Sequence, residues 1–148
     1  MTIFPLLNES DFIKTRRKIH SVAKVIGKFR ESLVKPIAKN DNLWLKAGEK
    51  GFSTPVIEEY SELEIGCNLE TLKIEVANSK DYDMIGLMGK TQKVLCDELK
   101  SILNKFGLTP EVDDSNFDST KAFDVSEKNA GDFLLQFTNF NELFHYVP

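Results

Sequence analysis

The chain has 148 residues, of which 41% are hydrophobic, 28% charged and 10% aromatic, and its net charge is -4. This length predicts one domain, residues 1–148, and the composition is typical of a folded protein rather than a disordered one. No apolar run reaches the roughly 20 residues that span a bilayer, and the first residues lack the basic flank of a secretory signal. The sequence therefore predicts a cytoplasmic protein with no membrane association.

The charges are distributed unevenly along the chain. Residues 1–50 hold 11 Lys/Arg against 5 Asp/Glu, whereas residues 51–148 hold 8 against 18. Such a split is typical either of a basic surface that meets an acidic partner or of two parts that attract each other within one fold. A domain-wide basic excess, which is usual in nucleic-acid-binding proteins, is absent, so the composition argues against a nucleic-acid partner.

The first predicted helix spans residues 11–34. Asn8 or Ser10 can cap its start, and Pro36 forces Lys35 out of helical geometry. Apolar residues and one threonine with three- and four-residue spacing predict its buried seam: Phe12, Thr15, Ile19, Val22, Ile26, Phe29 and Leu33. Five basic residues fall away from this seam and are expected only to face water: Lys14, Arg17, Lys18, Lys24 and Lys28.

The middle of the chain predicts an antiparallel sheet. Four stretches have strand character: NLWLKAG (42–48), GFSTPVI (51–57), SELEIGCN (61–68) and TLKIEVAN (71–78), with a short fifth, DMIGL, at 83–87. Helices follow at 91–106 and 126–144, separated by a surface loop at 109–124. The predicted fold is α+β: a four- to five-stranded antiparallel meander with a long N-terminal helix and two further helices packed on it.

The stretch GLMGKT at 86–91 resembles a phosphate-binding P-loop, because a strand precedes it and a helix follows. The GxxxxGK[ST] pattern, however, requires a glycine where this chain has Met84, and antiparallel hairpins exclude the parallel sheet of such enzymes. We therefore interpret the stretch as a turn in which Gly86 or Gly89 supplies unusual dihedral angles and Thr91 caps the next helix.

Neither the cysteines nor the acidic residues predict a metal or a cofactor. Cys67 and Cys96 are too few for a disulfide framework and lie too far from histidine for a zinc pattern, so we interpret both as core residues. The stretch EVDDSNFDS (111–119) contains carboxylates for calcium or magnesium but lacks the glycine and terminal glutamate of an EF-hand. We interpret it as a solvated loop and expect no metal site and no cofactor.

One border of the first helix contains the candidate binding residues. Arg16, His20, Gly27 and Arg30 lie along the edge of the apolar seam. A glycine in mid-helix costs roughly 1 kcal/mol relative to alanine, and a close approach by backbone or ligand is a usual compensation. Two arginines and a histidine beside it could hold a carboxylate or phosphate. In the alternative, Arg30 pairs with an acidic residue of the second part of the chain and Gly27 lets a strand pack closely.

The C-terminal stretch has a phenylalanine stripe at helical spacing: Phe133, Phe137, Phe140 and Phe144. Leu134, Leu135 and Leu143 widen this apolar face. A wide apolar helix near a chain terminus predicts docking on the sheet or on a second subunit, so we expect a homodimer through the C-terminal helix.

The chain resembles a bacterial family, the domain-of-unknown-function family 5996. That family opens with a Thr-Arg pair, a Leu-His step and a Gly-Lys-x-Arg element on one helix, matched by Thr15, Arg16, Ile19, His20, Gly27, Lys28 and Arg30. A Trp-containing strand, similar to that of Trp44, and a strand similar to GFSTPVI follow in the same order. The resemblance spans about residues 10–144 and adds Lys28 and Trp44 to the candidate residues. It implies no reaction, because no activity is established for the family, and the family has no counterpart of GLMGKT.

The leading functional hypothesis is a binding or interaction module with an anionic-ligand pocket beside the N-terminal helix. The candidate ligand-binding residues are Arg16, His20, Gly27, Lys28, Arg30 and Trp44. The alternative is an enzyme acting on a small anionic substrate, with His20 as acid/base and Arg16 and Arg30 as a clamp. The only other histidine, His145, is 125 residues away, and neither histidine has a neighbouring nucleophile at a triad-like spacing.

Overall fold

The computed structural model describes residues 9–34, 45–48 and 50–139, which form an α+β fold. In chain order the elements are α1 (Glu9–Leu33), β1 (Lys46–Gly48), β2 (Gly51–Ser53), β3 (Glu64–Asn68), β4 (Lys73–Ala77), β5 (Tyr82–Gly86), α2 (Gln92–Lys105) and α3 (Glu127–Asn139). A short 3₁₀ turn, Glu58–Tyr60, connects β2 to β3. The predicted fold class and order of elements are confirmed.

The five strands form an antiparallel meander in the order β1-β2-β3-β4-β5. Asparagine side chains close two of its turns. The Asn68 Oδ1 accepts hydrogen bonds from the backbone of Glu70 and Thr71, and the Asn78 Oδ1 accepts them from Lys80 and Asp81. Because asparagine can bond the backbone two and three residues ahead, it ends each strand and starts the return.

The alternation in β3 and β4 gives the sheet one buried and one open face. Ile65 pairs with Val76 and Cys67 with Ile74, and all four side chains are buried. The residues between them, among them Glu64, Gly66, Asn68 and Glu75, lie on the opposite face. The alternation of apolar and polar residues in the sequence of this hairpin therefore corresponds to its two faces.

All three helices lie on the buried side of the sheet or on one another. α1 packs against β3, α2 against β5, and both α2 and α3 pack against α1. The seam of α1 is buried as predicted, from Thr15 at 3% exposure to Leu33, while Phe12 is half-buried and its ring stacks on Phe133 of α3 with centroids 5.6 Å apart. The core thus centres on α1, which contacts every layer of the fold.

The connection from β2 to β3 differs from the sequence prediction. The ladder of β2 ends at Ser53, although the buried Thr54 still exchanges hydrogen bonds with Ile65. Pro55 then has no N–H to continue the ladder. Ser61 and Glu62 adopt left-handed backbone angles with φ of 58° and 61°, so the predicted start of a strand at residue 61 is wrong. The chain needs this reversal to leave the 3₁₀ turn and re-enter the sheet at Glu64.

Several predictions fall outside the described residues. The side chains of Phe137 and the later phenylalanines lie outside them, as do Trp44 and His145. Among the residues that the structure describes, no helix combines the length and apolar character that a membrane crossing requires.

Candidate functional site

A depression of about 330 Å³ lies between the first half of α1, the start of α2 and the loop that precedes α3. We call it the α1–α2 groove. Its lining residues are Lys14, Arg17, Lys18, Ser21, Val22, Lys90, Gln92, Leu95, Asp118, Lys121 and Phe123. Three of these, Val22, Leu95 and Phe123, are less than 5% exposed and form the closed floor of the groove. The remaining side chains are polar, and five of them are basic.

Gln92 joins the walls of the groove. Its Nε2 donates a hydrogen bond to the Ser21 carbonyl of α1 over 2.9 Å, and its Oε1 accepts one from the Asp118 N–H over 2.9 Å. The Lys93 N–H donates to the Asp118 carbonyl at 3.1 Å. One amide side chain in the first turn of α2 therefore fixes both α1 and the loop, which sets the width of the groove.

The GLMGKT turn places Lys90 in this groove. Gly89 has φ of +78°, a conformation that favours glycine, and its N–H donates to the Phe123 carbonyl over 2.9 Å. The Phe123 N–H returns a bond of 2.8 Å to the Lys90 carbonyl. The Thr91 Oγ1 accepts from the Val94 N–H and caps α2. The interpretation as a turn with Gly89 and a Thr91 cap is confirmed, and the turn has no phosphate-wrapping loop.

The basic side chains of the groove differ in how they are engaged. The Lys18 Nζ donates to the Ala122 carbonyl at 2.9 Å and lies 3.8 Å from an Asp124 carboxylate oxygen, so the expectation that Lys18 needs only water is wrong. The Lys90 Nζ lies 2.9 Å from the Glu98 carboxylate. Within the described part of the chain, Lys14, Arg17 and Lys121 form no ion pair.

Asp118 is the acidic residue among the groove-lining side chains. Its Oδ1 accepts hydrogen bonds from the Thr120 N–H, the Thr120 hydroxyl and the Lys121 N–H, at 2.6 to 3.0 Å. These bonds lower the pKa of Asp118 below its ordinary value. The carboxylate therefore stabilises the turn that contains Lys121. Because it is one negative charge against five basic side chains, the lining of the groove has an excess of positive charge.

The predicted border of α1 does not line the groove. His20 is half-buried, and burial, followed by the positive charges of Lys24 and Arg16, lowers the pKa of the imidazole below its ordinary value of about 6.5. The lowered pKa favours the neutral form of the imidazole at pH 7. Arg16 is exposed and Arg30 is half-buried.

The other predicted candidates are also separate from the groove. Apart from the neighbouring backbone of α1 itself, no described atom lies within 4 Å of the position that a Cβ would take at Gly27, so no other described segment packs closely there. The exposed Lys28 lies 3.4 Å from the Glu31 carboxylate, one turn along α1. Trp44 falls outside the described residues. The assignment of Arg16, His20, Gly27, Lys28, Arg30 and Trp44 to a ligand stays a prediction.

A second depression, of about 370 Å³, lies on the open face of the sheet. It has a floor of small residues, including Gly48, Gly66 and Ala77, beneath the carboxylates of Glu64 and Glu75. The Glu75 carboxylate accepts a long hydrogen bond, 3.3 Å, from the Tyr82 hydroxyl. The two carboxylates outnumber the one lysine in its lining, Lys50, so this surface is unfavourable for an anion.

The acidic loop and the cysteines supply no ligand set. The Asp114 carboxylate bonds the Lys93 Nζ at 2.6 Å, and the Asp113 carboxylate accepts from the Ser115 N–H. Within the described ranges, no three His, Cys, Asp or Glu side chains come together in a way that could hold a metal ion. Cys67 and Cys96 are buried free thiols, as predicted, and burial raises the pKa of both.

The comparison with known proteins places the chain in a family. A family model described as "Family of unknown function (DUF5996)" matches residues 4–133. The chain belongs to this family. The match confirms the resemblance and covers α1, all five strands, α2 and the residues that line the groove. No curated protein and no solved structure matches the chain.

In this DUF5996 member, sequence reasoning missed the groove because its residues come from three distant segments. Lys14, Arg17 and Lys18 lie on the face of α1 opposite to the predicted border. Two signals were present: the density of basic residues early in α1, and a lysine directly before the α2 cap. Only the packing of α1 beside α2 shows that these two signals meet.

Proposed function

We propose that this DUF5996 protein is a binding module for a small anionic ligand, which it holds in the α1–α2 groove. The observation that carries the proposal is the convergence of five basic side chains from three segments on one depression of about 330 Å³. A cleft lined by charges of one sign focuses the electrostatic field and concentrates counter-ions. The chain as a whole is acidic, with a net charge of -4, so this local excess is not a consequence of composition.

The groove is suited to a small ligand rather than to a polymer surface. It is concave, its base is lined by buried side chains, and two of its lysines have carboxylates next to them: Glu98 beside Lys90 and Asp124 near Lys18. These carboxylates would repel a nucleic acid or an anionic membrane that extended beyond the groove. Three of the basic residues, Lys14, Arg17 and Lys121, have no ion-pair partner among the described residues and can turn toward an anion.

The experiment is a calorimetric titration of the protein with two anions of high charge, inorganic pyrophosphate and citrate, in low-salt buffer without divalent cations. We expect saturable binding of at least one of them. The double variant Arg17→Gln/Lys90→Gln should weaken it about tenfold or more, since each charged hydrogen bond contributes about 1.5–3 kcal/mol.

The matched control is Lys24→Gln, which removes the same charge from the same helix but does not line the groove. It should change the dissociation constant by less than about threefold, because a screened surface charge that does not line the groove contributes little. Binding of neither anion, or equal losses in Lys24→Gln and in the single variant Arg17→Gln, would contradict the proposal.

The enzyme hypothesis remains a second proposal, in which His20 is the acid/base and Arg16 and Arg30 hold the substrate. The lowered pKa of His20 favours a neutral imidazole, which can accept a proton at pH 7. His20 lines neither of the two depressions described above. His20→Gln should abolish any turnover found in a screen of small anionic esters, while loss of anion binding in that variant would instead make His20 part of the binding site.

We also propose that the protein is a cytoplasmic homodimer of bacterial cells that associates through the C-terminal helix. Leu135 supports this, since it is 51% exposed on α3 beside the buried Phe133 and Leu134. Replacement of an exposed apolar contact by a charge disrupts such an interface. Leu135→Asp should therefore lower the mass measured by light scattering from dimer to monomer, whereas a monomeric wild type would refute the proposal.

A further inference from the structure

The protein supplies its own carboxylate to one of the five basic side chains of the α1–α2 groove. The Lys90 Nζ donates a hydrogen bond of 2.9 Å to the Glu98 Oε1 and lies 2.9 Å from the Glu98 Oε2 as well. Glu98 is not among the lining residues, so it meets the groove through its contact with Lys90. An anion that uses Lys90 therefore encounters an ammonium group that already faces both oxygens of a carboxylate.

The contact between Lys90 and Glu98 is partly shielded from water. The two side chains are 28% and 39% exposed, and the Glu98 Oε2 atom is buried. This oxygen accepts no hydrogen bond from the described residues, so the nearby ammonium group of Lys90 is what balances its charge. A shielded charge that loses its partner destabilises the protein, and salt screens such a pair less than an exposed one. Moving Lys90 from Glu98 to a ligand therefore subtracts from the affinity for that ligand.

The other groove lysine with an acidic neighbour, Lys18, is engaged in a different way. Its Nζ donates to the uncharged Ala122 carbonyl at 2.9 Å, and the Asp124 carboxylate lies 3.8 Å away on a side chain that is 76% exposed. An exposed ion pair of this kind contributes little, because water and salt screen it. Asp124 thus places a carboxylate near the groove without holding a lysine tightly.

From this difference we infer that Glu98 competes with the ligand for Lys90 and thereby limits the affinity of the α1–α2 groove for anions. This inference rests on the proposed function of the groove. Two effects act against the ligand: Lys90 gives up part of its contact with Glu98, and the negative charge of Glu98 remains close to that of the bound anion. Glu98 is thus a residue that sets the strength of anion binding without touching the anion.

The test is a calorimetric titration of the wild type and Glu98→Gln with pyrophosphate and with citrate, in low-salt buffer without divalent cations. Glutamine keeps the size of the side chain and removes its charge. Each anion that binds the wild type should bind Glu98→Gln at least about fivefold more tightly, the effect of one unit charge removed at close range. The matched control, Asp124→Asn, also removes a carboxylate beside a groove lysine and should change the affinity by less than about twofold.

A second variant removes the pair as a neutral unit. Lys90→Gln alone leaves the Glu98 carboxylate without its cation and should weaken binding, whereas Lys90→Gln/Glu98→Gln should restore the affinity to within about threefold of the wild type. The inference is overturned if Glu98→Gln binds no more tightly than the wild type, if it differs no more than Asp124→Asn does, or if the double variant binds as weakly as Lys90→Gln. These results would leave the anion-binding function intact. If neither anion binds the wild type, the proposed function itself fails.

Discussion

Replacement of Gln92 by alanine tests how the groove is held together. The side chain makes two hydrogen bonds of 2.9 Å, one to the Ser21 carbonyl of α1 and one from the Asp118 N–H of the loop. Each partly buried bond contributes about 0.5–1.5 kcal/mol, and an N–H left without a partner adds to the loss. Alanine regains a few tenths of a kcal/mol through its higher helix propensity. The expected decrease in the free energy of unfolding is therefore about 1–2.5 kcal/mol.

The assay is urea unfolding followed by circular dichroism, in which a lower midpoint with an unchanged slope indicates a loss of native stability. Asn104→Ala is the matched control, since it also removes an amide from α2 but its side chain is exposed and has no hydrogen bond among the described residues. This control should shift the free energy by less than about 0.5 kcal/mol. If Gln92→Ala is no more destabilising than Asn104→Ala, then Gln92 does not join α1 to the loop.

Three further predictions concern the sheet and His20. At Gly51 φ is +154°, and an added Cβ would lie 2.0 Å from the Cys67 carbonyl oxygen. Gly51→Ala should therefore lower the free energy of unfolding, measured in urea, by at least about 3 kcal/mol. Gly86→Ala, where an added Cβ meets open space, should lower it by less than about 1 kcal/mol. Folding lowers the pKa of His20, so as the pH falls the unfolded chain binds a proton at this residue before the folded chain does. The free energy of unfolding should therefore decrease as the pH drops below about 6.5. Between pH 7 and 5 this decrease should be smaller in His20→Gln than in the wild type. The Asp83 carboxylate accepts a hydrogen bond of 2.8 Å from the Met84 N–H on the outer edge of β5. Asp83→Ala should expose this N–H at the sheet edge, so that self-association increases with concentration in sedimentation experiments. No increase would show that the edge is protected in another way.

The sequence predicts the fold well because its patterns are local. The seam of α1 repeats at helical spacing, and the strict alternation of β3 and β4 leaves one assignment of faces. Thr91 and Gly89 mark the start of α2 through their own capping and turn chemistry. The short β2 and the left-handed pair at Ser61 and Glu62 were not predictable, since neither residue type requires that conformation and only the packed turn imposes it.

The candidate site was less accessible to sequence reasoning. The spacing on α1 separates the seam from the remaining faces, but it does not say which polar face meets another segment. Lys18 illustrates this, because its partners Ala122 and Asp124 are more than 100 residues away. Lys90 belongs to a motif that is a poor match to a P-loop, yet the fold places it in the same depression as Arg17. The location of a site built from separate segments follows from helix packing, which has no local signal.

The most direct test of the proposed function is a map of the backbone amides that respond to pyrophosphate in two-dimensional ¹⁵N–¹H NMR spectra. An anion in the α1–α2 groove should shift the amide signals of three segments with a common saturation curve: residues 14–22, 89–95 and 117–123. Shifts centred instead on the border of His20, Gly27 and Arg30 would place the anion on the other side of α1. That result, or spectra that do not change, would contradict the assignment of the groove as the binding site.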